Sequence, residues 1–450
     1  MRTQGRSHIM SDAIDRASAT DLAFLVMDRG AVPQQFGAIL VLDGTFDLPR
    51  ARALIAGRIL AVPRLRQRLV PVPPGCGRPV WIDDLSFDIG DHVGEVRCPD
   101  PGDEGSLLGL TADLVTRRLP ASRPLWSAAL VTGLADGRSA LVVILHHVLA
   151  DGLGGLAVLA SLTDQVTAQG ASSVPRRPPK TGRLAVDAMR ARIHALSGLP
   201  AGWRELRTAM SAGGGWAPAR AVPCSLVRPT GPRRRFGTVS IKLAPLRAAA
   251  HRHGATVNDA VLVAVAGALH RVLRARGESV DRFAVAVPVA GRRSASAASL
   301  GNQVSPLLVT VSGTGDPVRR MRDVAAQVRA GRENATGPPP IAIVGPVFRL
   351  AATLGGYRWY MNHQHRLHTL ISHVHGPQQP VTFGGTAVRA IIPVAVGEAG
   401  NVTVSFEVLS YAGTLTVTAV VDPDRFPDLS TLTTVLPGEL AALAGPAVTG

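Results

Sequence analysis

Apolar and polar positions alternate along this chain with two periods, one near two residues and one near three and a half. AILVLDG (Ala38–Gly44) has the first and predicts a strand; LPRARALIAGRILAV (Leu48–Val62) has the second and predicts a helix. GSLLGLTADLVTRRL (Gly105–Leu119) sets Leu107, Leu108, Leu110, Leu114 and Val115 on one broad helical stripe. Two apolar runs follow, PLWSAALVTGL and GRSALVVILHH, joined at Ala135-Asp136-Gly137. Asp-Gly between apolar runs is a hairpin signal, because both central residues of the favoured turn need positive φ. The second run ends on His146 and His147, and DGLGGLAVLASLTDQV then has the spacing of a helix. The two histidines therefore sit at a strand-to-helix junction.

The stretch AQGASSVPRRPP (168–179) breaks the pattern with Pro, Ser and Gly, and a basic helical segment runs on to Arg207. SAGGGWAPARAVPCSLVRPTGPRRRFG interrupts it again. A second α/β block starts near Phe236. It holds GATVNDAVLVAVAGALHRVLRARG as an amphipathic helix, FAVAVPVAG as a strand, and NVTVSFEVLSYAGTLTVTAVVD as a hairpin with Val402, Val404, Phe406 and Val408 alternating. No short repeat is present. The expectation is an α/β protein of two similar halves, residues 10–167 and 236–450, joined by a basic crossover at 168–235.

Composition narrows the function classes. Of the 450 residues, 46% are hydrophobic and 18% charged, which is a folded globular balance. No apolar run approaches the ~20 residues of a membrane helix, and the polar opening MRTQGRSHIMSDAIDR lacks the apolar centre of a secretory signal. Cys76, Cys98 and Cys224 are scattered and odd in number, as expected in a reducing cytoplasm. A net charge of +16 invites a nucleic-acid reading. That charge is local, however. Residues 171–250 hold 13 Arg and two Lys against Asp187 and Glu205, a net of +13, so the other 370 residues carry only +3. No helix-turn-helix, zinc-finger or aromatic RNA-binding signature accompanies the arginines. A cluster of this kind suits phosphate groups or anionic lipid headgroups, or is a solvated linker, and GRLAVDAMRARIHALSGL has the amphipathic form of an interfacial helix.

Candidate chemistry concentrates in HHVLADG. Successive strand side chains point to opposite faces, so His146 and His147 cannot share one job. One can face a cavity and take a proton from an alcohol or amine as general base. Asp151, beyond the strand end, can fix the turn through an arginine or backbone amides, and Gly152 allows close backbone approach. Asn258 and Asp259, ahead of a Val- and Leu-rich helix, suit either the site or the helix N-cap. Asn362–Gly376 carries His363, His365, His368, His373 and His375, without cysteine or carboxylate and with Arg366 inside. It reads as a helix end and a strand near the site, with no metal assigned.

HHVLADG matches the HHxxxDG motif of a large acyltransferase superfamily, and further stretches resemble its wax ester synthase/diacylglycerol acyltransferase branch in order. These are PRLRQRLVPVP, RPVWIDDLSFDIGDHV, SRPLW with Pro124, Leu125 and Trp126, GATVNDAVLVAVAGAL with Asn258 and Asp259, LGNQVSPLLV and LSYAGTL. The resemblance implies two chloramphenicol-acetyltransferase-like halves around a tunnel. It implies long-chain acyl-CoA as donor and diacylglycerol or a long-chain alcohol as acceptor, with no cofactor besides. His147 would be the base, His146 and Asp151 would complete the motif, and Trp126 would shape the site by packing. It also implies a cytoplasmic protein peripheral at the inner membrane or at lipid droplets. Three positions depart from the pattern: Leu119-Pro120-Ala121 replaces Leu-Asp-Arg, Leu226-Val227 replaces Leu-Asn, and His373 stands where asparagine is usual. The alternatives left open are a carrier-protein donor, another acceptor such as a polyketide or peptide ester, and a non-catalytic lipid-binding role.

Overall fold

The computed structural model describes residues 14–165, 178–197, 221–290, 300, 302, 304–334, 351–397 and 400–445. The expectations for 168–177, for the basic stretch 198–220 with Arg204 and Arg207, and for the start at Met10 lie outside them. The apolar runs form two six-stranded sheets and a small ribbon. The first sheet contains β1 (Gln35–Leu42), β4 (Val93–Arg97), β5 (Trp126–Thr132), β6 (Ser139–His146), β11 (Thr382–Phe383) and β12 (Thr386–Ala395), in the order β11-β12-β1-β6-β5-β4. The second contains β7 (Arg235–Lys242), β8 (Arg282–Ala290), β9 (Val304–Ser312), β10 (Thr369–His375), β13 (Val404–Tyr411) and β14 (Thr414–Val421), in the order β7-β14-β13-β10-β8-β9. The ribbon pairs β2 (Gln67–Val70) with β3 (Val80–Asp83).

β6 is central and buried at all eight positions, because layers cover both faces of its sheet. That is why SALVVILH is a continuous apolar run without the alternation of a half-exposed strand. A six-residue connection, residues 133–138, joins β5 to β6 antiparallel, with Trp126 opposite Leu145. Asp136 does not take the positive φ of a tight Asp-Gly turn, so the hairpin forms with a longer loop. The late hairpin turns at Ala412 and Gly413, whose φ values of 45° and 81° meet the demand of a two-residue turn for two left-handed residues.

Helices flank the sheets: α1 (Ala19–Met27), α2 (Leu48–Arg58), α3 (Glu104–Thr116), α4 (Gly152–Ser161) and α5 (Thr181–Ser197) in the first part, then α6 (Leu243–Arg252), α7 (Val257–Ala275), α8 (Pro317–Asn334), α9 (Gly356–Asn362) and α10 (Leu429–Ala444). α7 is apolar nearly all round because its buried residues share one core with Leu432, Leu436 and Leu440 of α10 and with strands of the second sheet. Among the described residues, no single helix is long and apolar enough to cross a membrane. The helix expected over Leu48–Val62 ends at Arg58 and finishes in short 3-10 turns at Ile59–Ala61 and Pro63–Arg66.

The two sequence halves do not keep to their own sheets. β12 comes from the C-terminal part yet pairs along β1, with Phe36 opposite Ala395 and Leu40 opposite Ile391. Asp164, just past α4, fastens this crossover. Its carboxylate accepts from the Thr382 hydroxyl at 2.6 Å, Gly384 N–H at 3.0 Å and Gly385 N–H at 2.8 Å, and pairs with Arg58. Partial burial opposes the charge, but these donors outweigh it and hold the carboxyl at about 2. A group with a lowered folded value contributes at all pH above the ordinary carboxylate range and loses its contribution as pH falls toward that value. The fastening therefore persists at neutral pH.

Candidate active site

β6 delivers both histidines, and the structure separates their roles. His146 is buried; its Nδ1 accepts Val148 N–H at 2.9 Å, so Nε2 carries the proton and faces Asp28 Oδ2 at 3.5 Å. Asp28 also accepts Gln34 N–H at 2.6 Å and pairs with Arg118 at 3.0 Å. Burial works against the Asp28 charge, yet His146, Gln34 N–H and Arg118 hold its carboxyl below the usual range. His146 thus ties the strand end to the loop after α1, while His147 N–H donates to Gln34 O at 2.8 Å from the same loop.

The His147 ring lies between two phenyl rings. Phe24 of α1 stacks at 4.9 Å between centroids and 14° between planes, and Phe36 of β1 at 4.5 Å and 29°. Asn302 donates from Nδ2 to His147 O at 2.6 Å and toward Asp21 Oδ1 at 3.3 Å. The imidazole is held by its faces and its backbone, and water reaches little of it. Burial chiefly, and the neighbouring His146 next, lower it from 6.5 to about 4; the Ala150 backbone and the Asp151 carboxylate act the other way. Nδ1 is buried with no hydrogen-bond partner among the described residues. At neutral pH His147 is an uncharged imidazole, a proton acceptor ready for use.

It faces a cavity of about 340 Å³, within the usual range for small-molecule sites. Phe36 and Leu145 come from the first sheet, Leu370 and Leu409 from the second, and Leu156 and Leu159 from α4. Ser372 and Glu407 also line it. α4 approaches closely because of its glycines. A Cβ on Gly155 would lie 2.4 Å from Phe36 Cε2, and one on Gly152 would lie 3.0 Å from Val374 Cγ2. Asp151 caps the helix, accepting Gly154 N–H at 2.9 Å, and lines the cavity beside His147.

The remaining expected site residues sit behind this surface. Leu125 O accepts His146 N–H at 3.0 Å, and Pro124 O accepts Trp126 N–H at 2.8 Å. Trp126 donates from Nε1 to Leu65 O at 2.7 Å and stacks on His92 at 4.6 Å, so it braces β5 and β6 outside the cavity wall. Asn258 and Asp259 do not line the cavity, and neither is the N-cap. That position belongs to Thr256, with Asp259 closing a capping box three residues on by accepting Thr256 N–H at 2.8 Å. A threonine one turn before the acid competes for the cap, and here it wins. The five histidines of Asn362–Gly376 do not converge. His368 bonds Val222 O and Ala284 N–H, His363 bonds Trp359 O, and His373 stacks on His375 at 4.4 Å. Among the described residues no group of three or more His, Cys, Asp or Glu is placed to hold a metal ion.

Phe24, Phe36, Asp28 and Asn302 escaped the sequence reading. Only Asn302 had a signal, since it lies in the LGNQ stretch that the family resemblance picks out.

A neutral histidine facing an apolar cavity between two sheets, at the end of a central strand, defines a two-lobed acyltransferase of the HHxxxDG kind. The comparisons agree. The model of the wax ester synthase/diacylglycerol acyltransferase catalytic domain matches residues 17–261, and that of the family's C-terminal domain matches 300–444. The chain belongs to this family. A Mycobacterium tuberculosis protein named "Probable diacyglycerol O-acyltransferase tgs1" is 29% identical over 409 residues, 88% of each chain. The wax ester synthase/diacylglycerol acyltransferase from Marinobacter aquaeolei VT8 has the same fold, with TM-score 0.66 at 20% identity over 96% of this chain and 98% of its own. The first condensation domain of the calcium-dependent antibiotic synthetase shares it too, with TM-score 0.65 at 17% identity over 97% and 99%.

Gly155→Ala tests the packing of the site. Its methyl group must push Phe36 off His147, and acyl transfer is expected to fall by about 10- to 100-fold, as displacements near 1 Å do elsewhere. Initial rates beside thermal melting of the folded variant check this; an unchanged rate removes the Phe36 stack from the account.

Proposed function

We propose that this protein transfers a long-chain acyl group from acyl-CoA to the hydroxyl of diacylglycerol, of a long-chain alcohol, or both, with His147 as general base. The observation that carries the reading is the uncharged imidazole of His147 on the wall of an apolar cavity. His147 takes the hydroxyl proton as the oxygen attacks the thioester carbonyl. The resulting tetrahedral oxyanion collapses with cleavage of the C–S bond, and the imidazolium returns its proton to the departing thiolate. Asp151 and the Ala150 backbone, which favour the protonated ring, stabilise that imidazolium. His146 is a positioning residue, with its proton committed to Asp28. The reaction requires no covalent acyl-enzyme and no cofactor beyond acyl-CoA as substrate.

His147→Ala is expected to lower acceptor-dependent thiol release from palmitoyl-CoA by about 10²- to 10⁴-fold, the usual worth of a general base. The assay supplies dioleoylglycerol or hexadecanol and confirms the ester product. Release unaffected by the substitution refutes the assignment.

Insoluble substrates call for a membrane or lipid-droplet surface, and α5 has the form for one. Leu184 and Ala188 are buried, and Arg16 pairs with Asp187 at 2.6 Å, so one face of the helix is docked. Val186, Met189 and Ile193 are 53%, 54% and 60% exposed, and their spacing of three and four sets them on one outward stripe. Arg183, Arg190 and Arg192 flank it. This composition suits the anionic cytoplasmic face of a bilayer, where apolar contacts and basic charge act together. Replacing Val186, Met189 and Ile193 by serine is expected to abolish co-sedimentation with phosphatidylglycerol-rich vesicles while leaving turnover of detergent-dispersed substrate intact. Undiminished sedimentation excludes α5 as the contact.

A further inference from the structure

The cavity wall is apolar except at a few points, and several of its polar side chains are committed to the protein. Asp151 caps α4, Asn302 holds the His147 carbonyl, and Gln35 donates to the carbonyls of Val115 and Arg117 at 2.8 Å and 3.0 Å. Glu407 of β13 and Ser372 of β10 are different. They stand opposite each other in the parallel register of the two strands and hydrogen-bond each other, and both line the cavity. Leu370, Val374 and Leu409 share their face of the sheet, two residues away along the strands. A carboxyl in such a wall is costly unless a ligand or the protein uses it. Burial pushes the Glu407 carboxyl up to about 8, against the opposing Ser372 hydrogen bond. At neutral pH it is therefore mostly an uncharged acid with one O–H to donate.

We propose that Glu407 and Ser372 form a polar subsite that binds a second oxygen function of the acceptor, so that an acylglycerol ester carbonyl is favoured over a plain alkan-1-ol. This rests on the acyltransferase reading and names the acceptor class for it. A site that donates a hydrogen bond from its wall discriminates strongly against an analogue without the matching oxygen, because the buried donor is then left unsatisfied. An alkan-1-ol has one oxygen, and that oxygen must reach His147. A diacylglycerol has ester carbonyls to spare for Glu407.

The test compares the wild-type chain with Glu407→Gln and Glu407→Leu, measuring kcat/KM for dioleoylglycerol and for hexadecanol at saturating palmitoyl-CoA. Glu407→Leu is expected to lower the dioleoylglycerol value by about 10-fold or more, the effect of losing one buried hydrogen bond to substrate. The hexadecanol value should hold or rise. Glu407→Gln, which keeps a donor of similar shape, should retain most of the preference. Equal loss for both acceptors, or no loss for either, overturns the subsite. Should the wild type turn over neither alcohol, the acyltransferase reading fails separately, and ligand-induced thermal shifts decide the subsite. Dioleoylglycerol should then raise the melting temperature of the wild type and Glu407→Gln more than hexadecanol does, with the difference gone in Glu407→Leu. Equal shifts in all three overturn it.

Discussion

The stacking of His147 between Phe24 and Phe36 is the contact on which the rest of the site depends. An imidazole in that position is stripped of water on both faces and remains uncharged at neutral pH. Holding it there needs three separate parts of the chain. α1 supplies Phe24, β1 supplies Phe36, and the loop between them is pinned by Asp28, through His146 and the Gln34 N–H. Gly155 lets α4 come close enough to back Phe36. The HHxxxDG sequence is thus a packing device as much as a catalytic one. Its first histidine anchors, its second faces the cavity, its aspartate caps the next helix, and its glycine admits the second sheet.

Depressing the basicity of a general base weakens its pull on an alcohol proton. The arrangement offsets this in two ways. The ring stays in the accepting form at any physiological pH. The imidazolium that the proposed mechanism forms lies beside Asp151, whose carboxylate favours it in a cavity of low polarity where a charge acts strongly. The crossover of β12 into the first sheet serves the same end. It closes one wall of the cavity with Pro393 and Ala395, and Asp164 fastens the hairpin to the end of α4. The lobes are therefore connected at the site by paired backbone as well as by the chain that links them.

Much of this was legible in the sequence because it is local. The hairpin through Asp136-Gly137, the continuous apolar run of β6 and the strand-to-helix junction at Asp151 all follow from patterns within a dozen residues, and the alternation of Val402, Val404, Phe406 and Val408 identified β13. The two phenylalanines were not legible, since nothing near Phe24 or Phe36 in the chain separates them from ordinary core residues. Their partner lies more than a hundred positions away; the register of β1 against β6 brings Phe36 to it, and α1 brings Phe24. β12 has the pattern of a strand, but no pattern says which sheet a strand joins. Asn258 and Asp259 stood open between site and cap; Thr256 takes the cap position, with Asp259 completing its capping box. Glu407 sat in plain view within VSFEVLSY, and only the fold shows that it lines the cavity.

The most direct test of the central claim is the pH dependence of kcat/KM for acceptor-dependent thiol release between pH 4 and 8, in protein shown by circular dichroism to stay folded. A base held at about 4 by its buried, stacked environment predicts a rate without a fall from protonation of His147 until the pH drops below about 5. An acid limb near 6.5, the value of an ordinary exposed histidine, would contradict the account.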